Sequence, residues 1–385
     1  MKRFLFIVPP FTGHVNPTVS VARMLEANGH EVAWVGYGRA IGALLPPKAK
    51  LFALDDDQST QAIADLRQRG HGVRGIASLQ FFYQEYLLPF TRLMLPGVLE
   101  VVRSYRPDVL IVDQQAFAGT LAARCTEKRW ATFCTTSATV IDPLSGLPEV
   151  KRWANEQVAV LEREVGLAPS GQSDLSGELV IVFSTQDFVG QTEGWPSSFH
   201  FVGPSIQCRP DATPFPWEKL DKRPRVFASL GTVSAEAGDH FYAALVEAFK
   251  DSDLQVIVAA PPERLPGAPA NFLVRERVPQ LALLPQMDAV ISHGGHNTVC
   301  ETLANGIPLV VVPIRDDQPI VANQVVRAGA GIRVRFGRIA SRALRDATFE
   351  VLEKPRYRQA ADRIGRSFAA AGGAKAAAAL LEGLA

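Results

Sequence analysis

The stretch that decides the fold is residues 4–35, which read FLFIVPPFTGHVNPTVSVARMLEANGHEVAWV. An apolar run at 4–8 is followed by a segment of helical period at 17–28, and Gly29 stops it just before a second apolar run at 31–35. Both runs are continuous rather than alternating, as expected for parallel strands that helices cover on both faces. The stretch therefore predicts a strand–helix–strand unit of a parallel sheet.

The same alternation continues along the chain and predicts two domains. Further apolar runs lie at 108–112, 131–134 and 178–183 and complete a doubly wound first domain, residues 1–203. Residues 204–224 are rich in proline and predict a linker. A second set of strands is predicted at 225–229, 254–259, 272–275, 288–292, 308–312 and 331–334, in a second domain over 225–367. The fold class is α/β throughout.

Composition excludes several classes of protein. The 385 residues carry 40 Lys and Arg against 39 Asp and Glu, a net charge of +1, which argues against a broad surface for nucleic acid or anionic membranes. The four cysteines are scattered without metal-ligand spacing, so we expect small buried apolar groups in a reducing compartment. With no targeting or membrane-spanning segment recognised, the expected location is the cytoplasm.

One histidine and one aspartate lie at strand ends, where ligands bind in open parallel sheets. His14 lies just beyond the first strand, and Asp113 ends the strand predicted at 108–112. A histidine there can act as a general base, and a neighbouring carboxylate can fix its tautomer. The alternatives are an exposed or helix-capping histidine and an aspartate that caps the helix near Gln115.

The densest group of polar residues lies between residues 277 and 318. The strand predicted at 288–292 is followed by His293-Gly-Gly-His-Asn-Thr298 and opens a helix. Glycines allow close backbone approach, and the N–H groups of a helix start attract anions, so this segment predicts phosphate binding. Neither a P-loop nor a dinucleotide fingerprint is present. Thr298 to Glu301 also fits a capping box, in which Glu301 would serve only the helix start.

Two insertions interrupt the first domain, at 70–107 and 138–178. The aromatic stretch at 79–90 could line a hydrophobic substrate pocket or could simply be core packing, and the residues leave both readings open. For a pocket, the candidate acceptor-binding residues are Thr12, Phe82, Tyr86 and Phe90.

These motifs together resemble the family 1 UDP-glycosyltransferases, and among them the bacterial macrolide and natural-product enzymes. The resemblance rests on Gly13–Pro17, Pro107–Asp113, Ser229–Thr232, Val278–Gln280, His293–Glu301 and Asp317–Gln318, and it covers nearly the whole chain. It implies a GT-B fold, in which an acceptor-binding domain and a nucleotide-sugar-binding domain face each other across a cleft. It also implies that residues 368–385 form a helix that packs back on the first domain.

The resemblance assigns roles to individual residues. His14 would be the catalytic base and Asp113 its partner. The donor-binding residues would be Ser229, Thr232, His293, Gly294, Gly295, Asn297 and Thr298 for the diphosphate, Glu301 for the ribose, Arg277, Val278 and Gln280 for the nucleoside, and Asp317 and Gln318 for the sugar. Arg277 stands where many members carry a tryptophan, and His296 where plant members do. No metal is implied, and Asp55-Asp-Asp57 is interpreted as a solvated acidic loop.

The expected function is therefore inverting, metal-independent sugar transfer from a UDP- or dTDP-linked donor to a hydroxyl of a small hydrophobic natural product. The partners are the donor and the acceptor, without nucleic acid or membrane, and the chain is expected to be a monomer or homodimer. A nucleotide-sugar epimerase and a non-catalytic auxiliary protein remain as alternatives. Arg342, Arg345, Arg363 and Arg366 lie at helical spacing and predict a solvated face.

Overall fold

The computed structural model describes residues 1–55, 61, 76–141, 146–171, 175–190, 194–206, 213–231 and 238–385 of the chain. These residues belong to two compact units. The first unit comprises Met1–Phe183, Glu193–Arg209 and Gly372–Ala385, and the second comprises Ser184–Thr192 and Pro210–Ala371.

The first unit is built on a wholly parallel sheet. Its strands are β1 Arg3–Ile7, β2 Glu31–Gly36, β3 Lys50–Ala53, β4 Val109–Asp113, β5 Arg129–Cys134, β6 Leu179–Val182 and β7 Phe199–Phe201. The strand order is β3-β2-β1-β4-β5-β6-β7, so the direction in which strands are added reverses between β1 and β4. In doubly wound sheets, ligands bind outside the carboxyl ends of the strands at such a reversal.

Helices cover both faces of this sheet. They are α1 Thr12–Ala27, α2 Gly38–Ile41, α3 Ile76–Phe81, α4 Leu88–Tyr105, α5 Phe117–Cys125 and α6 Pro148–Glu164, with the C-terminal helix Gly373–Leu384, named α14 below. Along β1, Phe4 and Phe6 pack with α1 and α14, whereas Leu5 and Ile7 pack with α4 and α5. Every side chain of the strand after Arg3 is therefore buried, which explains the continuous apolar run in the sequence.

The second unit repeats this plan with six parallel strands. They are β8 Arg225–Ser229, β9 Gln255–Ala259, β10 Phe272–Arg275, β11 Ala289–Ser292, β12 Leu309–Val311 and β13 Gly331–Arg333. Their order is β10-β9-β8-β11-β12-β13, and the reversal falls between β8 and β11. The helices are α7 Gln186–Val189, α8 Asp239–Phe249, α9 Gln280–Leu283, α10 His296–Ala304, α11 Gln318–Arg327, α12 Ser341–Glu353 and α13 Pro355–Ala371. The predicted α/β class with two doubly wound domains is confirmed.

The division of the chain differs in two places from the boundaries expected at residues 203 and 368. Residues 184–192 belong to the second unit, where the fully buried ring of Phe188 packs edge-on against Phe368 with centroids 5.8 Å apart. Helix α13 continues in the second unit to Ala371, and the chain leaves it at Gly372, whose φ is +90°. The hydrophobic pattern of the sequence can predict that Phe188 and Phe368 are buried, but it does not indicate in which of the two units each of them packs.

The last helix, α14, packs in the first unit against α1. Its buried face consists mostly of alanines with Leu381 and Leu384, and these join the core that contains Phe4 and Phe6. At the far end, Asn28 donates a hydrogen bond of 2.7 Å to Glu382.

Two smaller expectations are corrected. Strand β7 was not predicted, since three residues carry too short a pattern to be recognised. Cys125, expected to be buried, is exposed at the end of α5, whereas Cys134 and Cys300 are buried as expected. Cys208 lies outside the described residues.

Candidate active site

His14 lies in the first turn of α1, because the helix begins at Thr12 and not at Pro17 as the sequence suggested. Pro17 removes one intrahelical hydrogen bond, the one to the carbonyl of Gly13. Burial of one face of the helix, including Val15 and Leu25, nevertheless keeps this turn helical. The imidazole is thereby held on a regular element just beyond the end of β1.

Asp113 is the last residue of β4, the strand next to β1 at the reversal of the sheet. Both of its carboxylate oxygens lie 2.9 Å from Nδ1 of His14. The Asp113 side chain is fully buried, and Oδ1 also accepts the N–H of Gln115 at 2.8 Å. Helix α5 begins only at Phe117 with Ala116 as its N-cap, so the helix-capping alternative for Asp113 is not what the structure shows.

Thr135 completes a triangle with these two residues. It follows β5, the next strand in the sheet, and its hydroxyl lies 2.9 Å from Nδ1 of His14 and 3.0 Å from Oδ2 of Asp113. Sequence reasoning missed this residue, although its place after a strand end was a usable signal. With the carboxylate accepting the proton of Nδ1, neutral His14 keeps its lone pair on Nε2, the form that can accept a proton from a hydroxyl group.

An aromatic wall extends from His14. The ring of Phe11 lies 5.8 Å from that of His14 and 5.5 Å from that of Tyr86, and Phe82 lies 5.7 Å from Tyr86. Phe82 and Tyr86 belong to a π-helical turn, Phe82–Leu87, a distortion often found at functional sites. Phe11, which the sequence analysis did not select, joins these predicted acceptor residues to the histidine.

Phe90 has a different environment from Phe82. It is only 2% exposed, stacks on Tyr86 with centroids 5.3 Å apart and also packs against Tyr37. Its expected role as an acceptor contact is therefore corrected: Phe90 is a core residue that supports Tyr86. Thr12 is half-buried in the first helical turn, two residues before His14.

A second polar site lies in the other unit, at the equivalent reversal of its sheet. Ser229 ends β8 and Ser292 ends β11, and the two residues are paired across neighbouring strands. The Ser229 hydroxyl accepts the N–H of Gly231 at 3.2 Å, and the Ser292 hydroxyl accepts the N–H of Gly294 at 3.1 Å. Both serines thus shape the turns that follow their strands. Thr232 lies outside the described residues.

The ring of His293 is enclosed by two glycines. A Cβ atom at Gly231 would lie 2.6 Å from its Cε1, and one at Gly295 would lie 2.6 Å from its Nε2. The φ of Gly231 is also +70°, which favours glycine by itself. Only glycine at these positions leaves the imidazole where it is.

Burial in this enclosure lowers the pKa of His293 to about 4, with Asp317 opposing the shift. The imidazole is consequently neutral at pH 7. A diphosphate contact by His293, as the family resemblance implies, would therefore use a neutral N–H group, with the positive potential supplied by the start of α10.

The first turn of α10 carries Asn297 and Thr298, two of the residues predicted to bind the diphosphate. The N-cap is Gly295, so Thr298 lies inside the helix and the capping-box alternative for Glu301 is not realised. His296, at the start of the same helix, turns into the interior beside Cys300, with Nε2 3.5 Å from Sγ.

Glu301 and Gln280 meet although they come from different helices. The amide of Gln280 donates a hydrogen bond of 2.5 Å to the Glu301 carboxylate, which is 2% exposed. The structure therefore brings together the residues expected at the ribose and at the nucleoside. Arg277 is exposed after β10, and Val278 is half-buried beside it.

Gln318 begins α11, with Asp317 as the N-cap. Its side-chain oxygen accepts the N–H groups of Ile314 and Arg315 at 2.9 and 3.1 Å. These bonds fix the orientation of the amide and use its oxygen end, not its NH₂ end. The sequence predicted sugar contacts from Gln318 without this division of its two ends.

Similarity to known proteins identifies the family of this chain. Residues 199–368 match the family model described as UDP-glucoronosyl and UDP-glucosyl transferase. The chain is 31% identical over 384 residues to the NDP-glycosyltransferase YjiC of Bacillus subtilis (strain 168), covering 97% of this chain and 95% of that protein. The chain belongs to this glycosyltransferase family. It is an enzyme that transfers a sugar, and family members take that sugar from a nucleotide-sugar donor.

Two further similarities cover the whole of this glycosyltransferase. The 4'-demethylrebeccamycin synthase of Lentzea aerocolonigenes is 28% identical over 99% of both chains. The crystal structure of the glycosyltransferase SnogD from Streptomyces nogalater superposes with a TM-score of 0.80 at 22% identity, covering 100% of each chain. The structural similarity confirms the GT-B fold.

The described part of this glycosyltransferase also bears on metal binding and membrane insertion. Its described residues include no group of three or more His, Cys, Asp or Glu side chains arranged to hold a metal ion. No helix within the same part is long and apolar enough to cross a membrane.

Proposed function

We propose that this glycosyltransferase moves a sugar, with inversion at the anomeric carbon, from a UDP- or dTDP-linked donor to a hydroxyl of a small hydrophobic natural product. The observation that carries the proposal is the triangle of His14, Asp113 and Thr135 at the reversal of the first sheet, next to an aromatic wall. A base beside an apolar surface is what an aromatic or polyketide-like alcohol requires.

The proton transfer follows from the hydrogen bonds. Nδ1 of His14 is tied to Asp113, so Nε2 is the nitrogen that takes the proton of the acceptor hydroxyl. The imidazolium that forms is stabilised by the negative charge of the buried Asp113 carboxylate. Asp113 and Thr135 act as positioning residues, since both contact His14 at Nδ1.

Inversion follows from a single displacement. The acceptor oxygen forms its bond to the anomeric carbon as its proton passes to His14, and the electrons of the breaking bond leave with the nucleoside diphosphate. One attack from the face opposite the leaving group inverts the configuration. The charge that grows on the diphosphate meets the start of α10 and a neutral N–H of His293, which supports metal-independent chemistry.

The donor contacts are assigned from the second unit. Asn297 and Thr298, in the first turn of α10, would bind the diphosphate. Ser229, Gly294 and Gly295 shape the turns beside this helix start. Glu301, held by Gln280, would accept the ribose hydroxyls, and the NH₂ of Gln318 would donate to a sugar hydroxyl beside Asp317. Arg277 and Val278 would flank the base. The natural-product class of acceptor is supported by the rebeccamycin-type relative.

The test is transfer by the purified full chain from UDP-glucose and dTDP-glucose to 7-hydroxycoumarin and 2-naphthol, followed by mass spectrometry. We expect product that needs both substrates, and a β-glucoside from the α-linked donor by NMR. His14→Ala is expected to lower kcat/KM by about 10² to 10⁴. His240→Ala, at an exposed histidine of the second unit, is the matched control. An α-linked product, transfer that survives His14→Ala, or an epimerised donor formed without acceptor would each overturn the proposal.

A further inference from the structure

The second unit has a groove outside both sites described above, at the edge of its sheet. It encloses about 630 Å³ and is lined by the last strand, β13, by the end of α11 and by one face of α13. Its apolar lining residues include Val326, Ile332 and Ala360. We call this the β13 groove.

The charges of the β13 groove are all of one sign. Arg333, Arg356 and Arg363 line it, and no acidic residue does. Arg356 is paired with Glu350 at 2.9 Å. In contrast, Arg333 is bonded to the neutral amide of Asn323, and Arg363 to the carbonyl of Ala328. No carboxylate of the described residues pairs with Arg333 or Arg363, so the groove carries two positive charges without a negative partner.

The backbone at this groove belongs to an edge strand, in which Gly331 is buried and Arg333 is exposed. Strand β13 is the last of its sheet and pairs only with β12. On either side of it, the carbonyl of Ala330 accepts the N–H of Leu309, and the N–H of Val334 donates to the carbonyl of Val311, both in β12. Because alternate residues of a parallel strand bond to opposite sides, the N–H and C=O groups of Gly331 and Arg333 face away from β12, along the edge.

An exposed apolar side chain marks the rim. Val326 is 45% exposed, one of few large apolar side chains of the described residues that reach solvent to this extent. Strand addition binds an extended peptide through main-chain hydrogen bonds and side-chain contacts, and guanidinium groups bind carboxylates. The β13 groove combines an edge strand, an apolar rim and two such guanidinium groups. Isolated arginines on a solvated face, as the sequence predicted for Arg363, would account for the charge alone.

We propose that the β13 groove binds an extended acidic segment of a partner protein. The segment adds as a strand beside β13, and its backbone bonds to the exposed end of that edge at Arg333. Its carboxylates pair with Arg333 and Arg363, and an apolar side chain lies on Val326 and Ile332. A small dianion would satisfy the arginines but would use neither the strand edge nor the apolar rim.

The test is fluorescence anisotropy with the full chain and a labelled eight-residue peptide in which Glu alternates with Val and Thr. Two further peptides carry Lys in place of Glu, or Pro at the central positions, which blocks strand pairing. We expect salt-dependent binding of the acidic peptide and at least tenfold weaker binding of the other two. Equal binding of the Pro peptide would overturn strand addition, and equal binding of the Lys peptide would overturn the charge recognition.

Variants locate the binding. Arg333→Ser with Arg363→Ser is expected to weaken the acidic peptide at least tenfold. The control pair, Arg152→Ser with Arg342→Ser, removes the same charge at highly exposed positions outside the groove. Val326→Asp, a substitution at an exposed position, should weaken the peptide as well, so the result does not depend on the stability of one variant. Equal affinity in the groove and control pairs would overturn the proposal.

Other ligands are outcomes of the same experiment. Pyrophosphate that binds with the same dependence on Arg333 and Arg363, when the peptide does not, would make the groove a small-anion site and overturn the proposal. If phosphatidylglycerol vesicles bind with the same dependence on Arg333 and Arg363 and the peptide does not, the groove is a lipid-binding site and the proposal is overturned. Binding of UDP is expected to be unchanged in the groove variants, so the outcome is independent of the proposed sugar transfer.

Discussion

Nδ1 of His14 lies 2.9 Å from both carboxylate oxygens of Asp113, across 99 residues of chain. The contact exists because β1 and β4 are neighbours where the sheet changes direction, and each side chain lies just past its strand. Thr135, after the next strand, bonds to both residues. The geometry makes separate predictions for the three side chains.

Asp113→Asn is expected to lower kcat by about 10² or more while leaving the Kd of UDP unchanged, because an amide can hold His14 in the wrong tautomer and cannot stabilise imidazolium. The measurement is steady-state transfer together with calorimetric titration of UDP. Thr135→Val should cost less, about tenfold, and Thr135→Ser should restore the rate. A rate for Asp113→Asn within threefold of the wild type would contradict the arrangement.

His293 gives a prediction on pH. Its pKa is about 4 in the folded chain against 6.5 ordinarily, because burial disfavours the charged ring. The unfolded state therefore binds more protons between pH 6.5 and pH 4, and stability falls as the pH falls through that window. His293→Gln should remove about 1–3 kcal/mol of this dependence. Urea unfolding at pH 7 and pH 4.5 measures it, with the exposed His240→Gln as control.

The enclosure of His293 can be tested by steric compensation. Gly295→Ala has an ordinary φ of −60°, so its cost comes from the Cβ placed 2.6 Å from the imidazole. We expect a loss of about 1–3 kcal/mol in the wild type and little loss in a His293→Ala background. Thermal unfolding of the four proteins completes the cycle. Gly177→Ala, where a Cβ meets nothing within 4 Å, should be nearly neutral, and additive effects would show that the ring is not confined.

The bond between Gln280 and Glu301 predicts how the donor site loses affinity. Gln280→Leu leaves a carboxylate that is 2% exposed without this donor, so we expect UDP to bind about tenfold more weakly. Glu301→Leu should weaken UDP at least as much. The double variant should not be worse than Glu301→Leu alone, because Gln280 acts through the carboxylate. Strictly additive losses in calorimetric titration would show that the two residues contact the nucleotide independently.

The sequence predicted the strands of the sheets and the location of the sites better than it predicted the local geometry. Continuous apolar runs located most strands to within one or two residues, since strands buried on both faces must be apolar throughout. The expectation that His14 and Asp113 stand at strand ends needed only strand positions. Their contact needed strand order, which periodicity does not contain but which the family resemblance implied.

Local features failed where tertiary packing overrides a local rule. Pro17 marked a helix start in the sequence, yet burial of α1 extends the helix back to Thr12. Phe90 belongs to the aromatic stretch that was predicted to line a pocket, yet it is buried in the core. The lowered pKa of His293 comes from burial of a ring that lies against two glycines from different turns, an arrangement that no single sequence motif records.

The path of the chain limits how this enzyme can be divided and recombined. It enters the second unit at Ser184, returns at Glu193, enters again at Pro210 and comes back at Gly372. An exchange with a relative at a single junction near residue 204 would separate both Phe188 from its native partner Phe368 and α1 from its native partner α14, whichever half is replaced. A functional chimera must therefore carry the short excursion at 184–192 with its own second unit and residues 373–384 with its own first unit.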